Sequence, residues 1–138
     1  MSWGYNFPWA SSSKYLNNFV PSAVVTGFVS KGIFQYYLAT NNQKAIKILD
    51  EAKIFILNEL DIYKDKSGIC FSYTPIMQDI CYNASLIAGE VLAMNYSINQ
   101  DEDLKNKCIA IVNFVVSRQN KDGSWNYAED IKTGEIDN

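Results

Sequence analysis

The sequence predicts an all-α chain of two helical hairpins laid in two layers, with an aromatic arm ahead of them. Three observations carry that expectation. The chain has 138 residues, enough for one domain and no more. Four stretches show helical spacing of apolar residues, separated by short polar turns. The second pair of stretches repeats the first at a shift of about 59 residues.

The arm spans residues 1–20. Trp3, Tyr5, Phe7 and Trp9 alternate, as in an extended segment with one aromatic face, while Pro8 and Ser11-Ser12-Ser13 argue for coil or a turn. Rings of this size need something to pack on. Pro21-Ser22 opens the first helix, with proline suited to its first turn, and the pattern runs to about Thr40. Val24, Val25, Phe28, Ile33, Tyr36 and Tyr37 make it apolar nearly all round, the mark of a buried helix. Asn41-Asn42 turn the chain. A second helix, about Gln43 to Asp61, is amphipathic: Ala45, Ile48, Leu49, Ala52, Phe55 and Ile56 form its stripe.

Lys64-Asp65-Lys66-Ser67-Gly68 reads as a turn, and Ile69 to Pro75 as a short strand or extended loop. A third helix, about Ile80 to Ile98, carries one charge, Glu90. Asn99-Gln100 turn the chain again. Asp101 is a fitting N-cap for a fourth helix to about Gln119, with Asp103 adding negative charge to its first turn and Leu104, Cys108, Ile111, Val112 and Val115 as its stripe. Gly123 marks the next turn, ahead of Trp125 and Tyr127. The chain thus divides into the arm (1–20), a first hairpin with its loop (21–79) and a second hairpin with its loop (80–138).

The repeat sets Tyr37 on Tyr96, Leu49 on Cys108, Ala52 on Ile111, Phe55 on Phe114, Ile56 on Val115, Ser22 on Cys81 and Thr26 on Ser85. Each unit is a buried helix, a turn, an amphipathic helix and a glycine-containing aromatic loop. Such units fit concentric layers, inner helices facing one another and outer helices around them. Two hairpins do not close a ring, so the expected state is an open arc, part of a larger ring, or association with a second copy through the open hairpin face. The final Gly134 to Asn138, without a terminal helix, fits the same incompleteness.

Composition removes whole classes of function. Histidine is absent, which excludes Ser-His-Asp and Cys-His nucleophile systems and the commonest transition-metal ligand. Twelve Lys and Arg against fifteen Asp and Glu give a net charge of −3, with no electrostatic footprint for nucleic acid. Cys70, Cys81 and Cys108 form no CxxC pair, so no metal site is expected, and their sparse, odd number points to reduced thiols in the cytoplasm. The first nine residues lack the features of a signal peptide, and no apolar run is long enough to span a membrane. No phosphate-cradling glycine motif occurs, and no cofactor is expected.

Gln119-Asn120-Lys121-Asp122-Gly123-Ser124-Trp125, preceded by Phe114-Val115-Val116, is similar to the QW repeat of terpene cyclases. That resemblance implies an α/α toroid of helical hairpins, with Gln capping helix-end groups and Trp packing on the outer helix. A second resemblance covers almost the whole chain. Trp3-Gly4-Tyr5-x-Phe7-x-Trp9, Cys70-Phe71-Ser72-Tyr73-Thr74-Pro75, Tyr82-Asn83-Ala84-Ser85-Leu86, Gln119-x3-Gly123-Ser124-Trp125-x-Tyr127 and Ile136-Asp137-Asn138 follow in that order. The set resembles the VpsJ-like bacterial proteins of capsule, exopolysaccharide and lipopolysaccharide biosynthesis. It implies an α/α toroid of the six-hairpin class, a role in surface-polysaccharide biosynthesis, and a glycan bound or modified in a central cleft. Members of that group are longer; in them an aromatic-His-Thr-Gly stretch follows the Asp-Asn segment, so this chain resembles a middle portion of one.

Aromatic faces stack on sugar rings, while Asn, Tyr and carboxylates bond hydroxyls. The candidate substrate-binding residues are Trp3, Tyr5, Trp9, Tyr73, Asn83, Trp125 and Tyr127. Each also has a structural reading: packing of the arm for the first three, local bonding for Tyr73 and Asn83, and the QW role for Trp125 and Tyr127. The candidate catalytic carboxylates are Glu90, alone in an apolar helix, and Asp137. Asp79, Asp130 and Glu135 are further acids, but spacing pairs none of them in the way glycoside hydrolysis needs. Two rival functions stand beside the glycan reading: a non-catalytic helical module that dimerises or binds a partner, and a terpenoid- or prenyl-type enzyme fragment. The second needs an acidic motif in an aromatic cavity, and the dense acidic run Asp101-Glu102-Asp103 reads as a helix start.

Overall fold

The computed structural model describes residues 1–10, 15–130 and 136–137. Four helices dominate them: α1 (Ala23–Thr40), α2 (Gln43–Asn58), α3 (Tyr82–Asn99) and α4 (Glu102–Val116). Seven short strands accompany the helices among the described residues, so the fold is mostly helical and not strictly all-α. β1 (Trp9–Ala10) pairs with β2 (Tyr15–Leu16), and β3 (Ile62–Asp65) with β4 (Gly68–Phe71), both antiparallel. β5 (Asp79–Cys81), β6 (Ala128–Asp130) and β7 (Ile136–Asp137) form an antiparallel sheet in that order. Each strand has two to four residues, too few for a period-two pattern to stand out from a loop.

The repeat is written in the backbone. A shift of about 59 residues carries α1 onto α3, and α2 onto α4 to within one residue at the end. Both hairpins turn through a non-glycine residue in the left-handed region, Asn41 at φ 54° and Gln100 at φ 57°. Each such residue donates its backbone N–H to a tyrosine carbonyl, that of Tyr37 or Tyr96. The next residue then caps the following helix: the Asn42 side chain accepts from the Lys44 N–H and the Asp101 side chain from the Asp103 N–H, both at 3.0 Å.

Helix bounds differ from the sequence expectation at four ends. Pro21 lies outside the first helix, bridged to Gly4, and Ser22 is the N-cap, its Oγ accepting from the Val25 N–H at 3.2 Å. α2 stops at Asn58, three residues early, because residues 62–71 are drawn into the β3–β4 hairpin. Ile80 and Cys81 belong to β5, so α3 starts at Tyr82. α4 stops at Val116, short of Gln119.

The core lies between α3 and its neighbours, where Leu49, Ala52, Phe55, Ile56, Phe71, Ala88, Val91, Leu92, Leu104 and Ile111 are buried. The stripes expected of α2 and α4 face it except at Val112 of α4, which is exposed. Asn95 crosses it, donating to its own helix at Val91 O (3.0 Å) and to Leu49 O of α2 (3.2 Å), so a buried amide is satisfied between layers. α1 departs from its expected burial. It buries Ala23, Val24, Thr26, Gly27 and Ser30 but leaves Phe28 (64%), Tyr36 (51%) and Leu38 (60%) exposed. Its apolar character is real, but on one side none of the described residues covers it.

A second, polar lock sits outside the inner layer. Gly68, at φ 153°, lies so close to α4 that an added Cβ would fall 1.9 Å from the Ala110 carbonyl oxygen. Arg118, just past α4, stacks 3.8 Å over the Phe114 ring and reaches Asp65 Oδ2 and Ser67 Oγ, both at 2.6 Å. The Ser67 hydroxyl and then Arg118 hold the Asp65 carboxyl well below the usual carboxylate range.

Candidate functional site

The arm is anchored before it offers any side chain. Trp3 donates its N–H to Thr26 Oγ1 (3.1 Å) and accepts from the Ser22 N–H (3.0 Å), and the Tyr5 carbonyl accepts from the Phe19 N–H (2.6 Å). These bonds lay residues 3–9 over the N-terminal end of α1. From there the Trp9 ring stacks on Tyr73, with centroids 5.5 Å apart and planes 10° from parallel, while Tyr5 and Phe7 contact each other at 5.1 Å.

Tyr73 is the centre of this group. Its backbone ties the loop after β4 to α1 through its carbonyl, which accepts from the Ala23 N–H (2.9 Å), and to β5 through its N–H, donated to Asp79 Oδ1 (2.9 Å). Asp79 is therefore a buried structural carboxylate beneath the cluster. The Tyr73 hydroxyl lies within hydrogen-bonding reach of Tyr5. Burial first, then that contact, pushes its ionisation well above the ordinary tyrosine value, with Tyr127 also nearby. Four of the seven candidate binding residues, Tyr5, Trp9, Tyr73 and Tyr127, thus converge on one place.

The β5–β6–β7 sheet brings the chain's last described residues to the same end of α3. Cys81, the residue before α3, pairs with Ala128, and Ala128 pairs on its other side with Asp137. The Asp137 backbone therefore lies two strand spacings, about 10 Å, from the start of α3. Its side chain, like those of Asp130 and Glu135, lies outside the described residues. Asn83 is exposed in the first turn of α3, its Oδ1 accepting from the Ala84 N–H (2.8 Å) and meeting the Cys81 thiol (3.0 Å).

The remaining candidates stand elsewhere. Glu90 is not a lone buried acid: it pairs with Lys31 of α1 at 2.9 Å, and its side chain is 41% exposed. It nevertheless lies on the same open stripe of α3 as Asn83, about 10 Å along the axis. Trp125 donates its indole N–H to Val115 O (2.8 Å), satisfying a carbonyl at the end of α4, and Gln119 Nε2 bridges to Gly123 O (2.8 Å). The helix-end bond expected of Gln is made by Trp, while Gln closes the loop. Trp3 is held half-buried against the core.

Sequence reasoning did not single out Tyr82 and Glu129. The Tyr82 hydroxyl donates to Glu129 Oε1, and burial together with that carboxylate raises its ionisation above the ordinary value. Only the register of β5 against β6 joins these residues, 47 apart in sequence. Cys70, Cys81 and Cys108 are free thiols, and burial pushes Cys70 up to about 12, so it is inert as a nucleophile. Among the described residues no cluster of three His, Cys, Asp or Glu side chains is placed to hold a metal ion, and no helix is long and apolar enough to cross a membrane.

The sequence matches no protein-family description and no curated protein. Solved structures do resemble the fold. A GH76 alpha-mannanase from Bacteroides thetaiotaomicron superposes with a TM-score of 0.66 at 19% identity, covering 96% of this chain and 40% of its own. A cellobiose 2-epimerase from Spirochaeta thermophila DSM 6192 superposes with a TM-score of 0.65 at 16% identity, covering 80% of this chain and 29% of its own. The chain thus spans well under half the length of either protein. At these identities the likeness shows the fold alone, and that fold is a portion of an α/α toroid.

Proposed function

We propose that this chain serves bacterial surface-polysaccharide biosynthesis, capsular, exo- or lipopolysaccharide, by binding or modifying a glycan at the end of α3. The convergence of Tyr5, Trp9, Tyr73 and Tyr127 there carries the reading, because stacked rings flanked by amides and carboxylates are what a sugar ring requires. The resemblance to the VpsJ-like group supplies the biosynthetic context. The two similar structures, an epimerase and a mannanase, support a carbohydrate ligand. Asn83 faces the same cleft in this reading, and Glu90 and Asp137 are the acids proposed to act on the bound sugar. The three free thiols support a reducing compartment, the cytoplasm.

The test is a titration of the intrinsic tryptophan fluorescence with a panel of manno-, gluco- and mixed oligosaccharides, repeated on Trp9→Ala. Saturable quenching that Trp9→Ala weakens at least tenfold is expected. A flat response across the panel overturns the proposal. Mass spectrometry of the incubated oligosaccharides then separates binding from modification.

A further inference from the structure

β3 divides its side chains between two sides. Tyr63 meets Phe114 edge-on, and the Asp65 carboxylate is held by Ser67 and Arg118. Strand alternation sends Ile62 and Lys64 the other way. On that side a groove of about 530 Å³ separates the β3–β4 hairpin from α4. Gly68 and Ala110, pressed backbone to backbone, are part of its lining. Its volume is that of a small-molecule site.

The lining combines three chemistries. Ile62 and Ile109, 45% and 50% exposed, supply apolar walls. Asn106, Ile109 and Asn113 follow at three- and four-residue spacing, so two amides flank the isoleucine on one stripe of α4. Lys64, Lys66 and Lys107 supply charge. Two of the charged groups in the lining are already engaged: Asp65 with Arg118, and Lys107 with Asp103. Lys64 and Lys66 are in no ion pair, and neither they nor the side chains of Asn106 and Asn113 hydrogen-bond to another described residue. A chain with a net charge of −3 therefore keeps two uncompensated cations beside an apolar surface and two open amides.

We propose that this groove binds an anionic sugar, one that carries a carboxylate or a phosphate. The lysine ammonium groups take the anion. The amides, each with a donor and an acceptor, bond ring hydroxyls, and the isoleucines cover the C–H face of the ring. An inorganic anion would use the lysines alone and leave the amides and the isoleucines without a role. The groove shares no residue with the aromatic cluster, so this site stands or falls separately from the glycan site at α3.

The test is an amide chemical-shift titration of the nitrogen-15-labelled full chain. The probes are trigalacturonic acid and mannose 6-phosphate, with maltotriose and inorganic phosphate as controls. Saturable shifts at Ser67, Gly68, Ala110 and Asn113 are expected with at least one of the two anionic sugars, and which one responds separates carboxylate from phosphate. That sugar should bind about tenfold more tightly than either control, and more weakly as salt is raised. Lys64→Gln combined with Lys66→Gln changes two exposed residues, so the far-UV circular dichroism should be kept while binding weakens about tenfold. Asn113→Ala should weaken the sugar and leave inorganic phosphate unchanged. Trp9→Ala should leave every one of these shifts in place. No response to either anionic sugar, or a response that the double lysine variant keeps at full strength, overturns the proposal. Equal binding of maltotriose removes the role of charge, equal binding of inorganic phosphate removes the role of the sugar, and loss of the shifts in Trp9→Ala moves the ligand to the aromatic cluster; each of these also overturns it.

Discussion

Val91 and Gly32 occupy the same place in the two repeats, yet Val91 is sealed in the core and Gly32 faces open space. The same contrast runs along both helices, from Ile87 and Phe28 to Asn95 and Tyr36. The helices have equal length and equivalent left-handed caps, so local sequence does not create the difference. Position does: α3 has a hairpin on the side where α1 has none among the described residues. An apolar helix therefore announces that it is meant to be covered without saying whether the cover lies in the same chain.

The largest test of this contrast is at the outer helices, where it should vanish. Phe55 and Phe114 correspond, and both are essentially unexposed. Phe→Ala at either should cost about 3–5 kcal/mol in chemical denaturation. Phe114→Ala should be the costlier, because Tyr63 meets that ring edge-on at 5.8 Å and Arg118 stacks on it. Equal costs would mean that those aromatic contacts add nothing.

The next test sits on the inner helices, where the contrast should change the sign. Val91→Ala should destabilise by about 2 kcal/mol, through lost burial and a cavity. Gly32→Ala should stabilise by about 0.5–1 kcal/mol, because the helix gains a better former and nothing obstructs the methyl group. Thermal melts of the two variants at low protein concentration read the difference. A smaller effect is expected at the helix starts. Ser22 caps α1 through its side chain, whereas Cys81 makes no side-chain cap bond to α3. Ser22→Ala should cost about 1 kcal/mol by urea titration.

The smallest effect concerns the Arg118–Asp65 lock, which ties the end of the second hairpin back to the loop of the first. Asp65 ionises below its unfolded value, so its contribution is complete above about pH 4 and is lost as pH falls through the folded value. Asp65→Asn should flatten the acid limb of the stability curve without changing it near neutrality by more than the lost ion pair. An unchanged acid limb would remove Asp65 from the lock.

The helices were legible in the sequence because each spans four or five turns, long enough for spacing to show, and because asparagine, glutamine and aspartate mark both corners. The strands were not, since strands of two to four residues carry no period and their partners lie far away: Asp79 pairs with Asp130. The candidate site residues could be named one by one from the sequence but not gathered into a group. Tyr5, Trp9, Tyr73 and Tyr127 each looked like a loop aromatic, and only folding gathers the arm and the two loops around one ring. Residue type also left out the local partners of Trp125 and Glu90: the first donates to a helix-end carbonyl and the second pairs with a lysine.

The two left-handed corners have a consequence for how the chain assembles. Helices joined across two residues meet almost as soon as they form, because so short a closure costs little entropy. The β5–β6 pairing must instead wait for an intervening helical hairpin to be in place. Rapid hairpins followed by a slow sheet closure is the expected order, and pulsed hydrogen exchange would see protection reach Ile80 and Glu129 last. Because the aromatic cluster is completed by Tyr127, next to that late-closing strand, the proposed ligand site would mature after the scaffold that carries it.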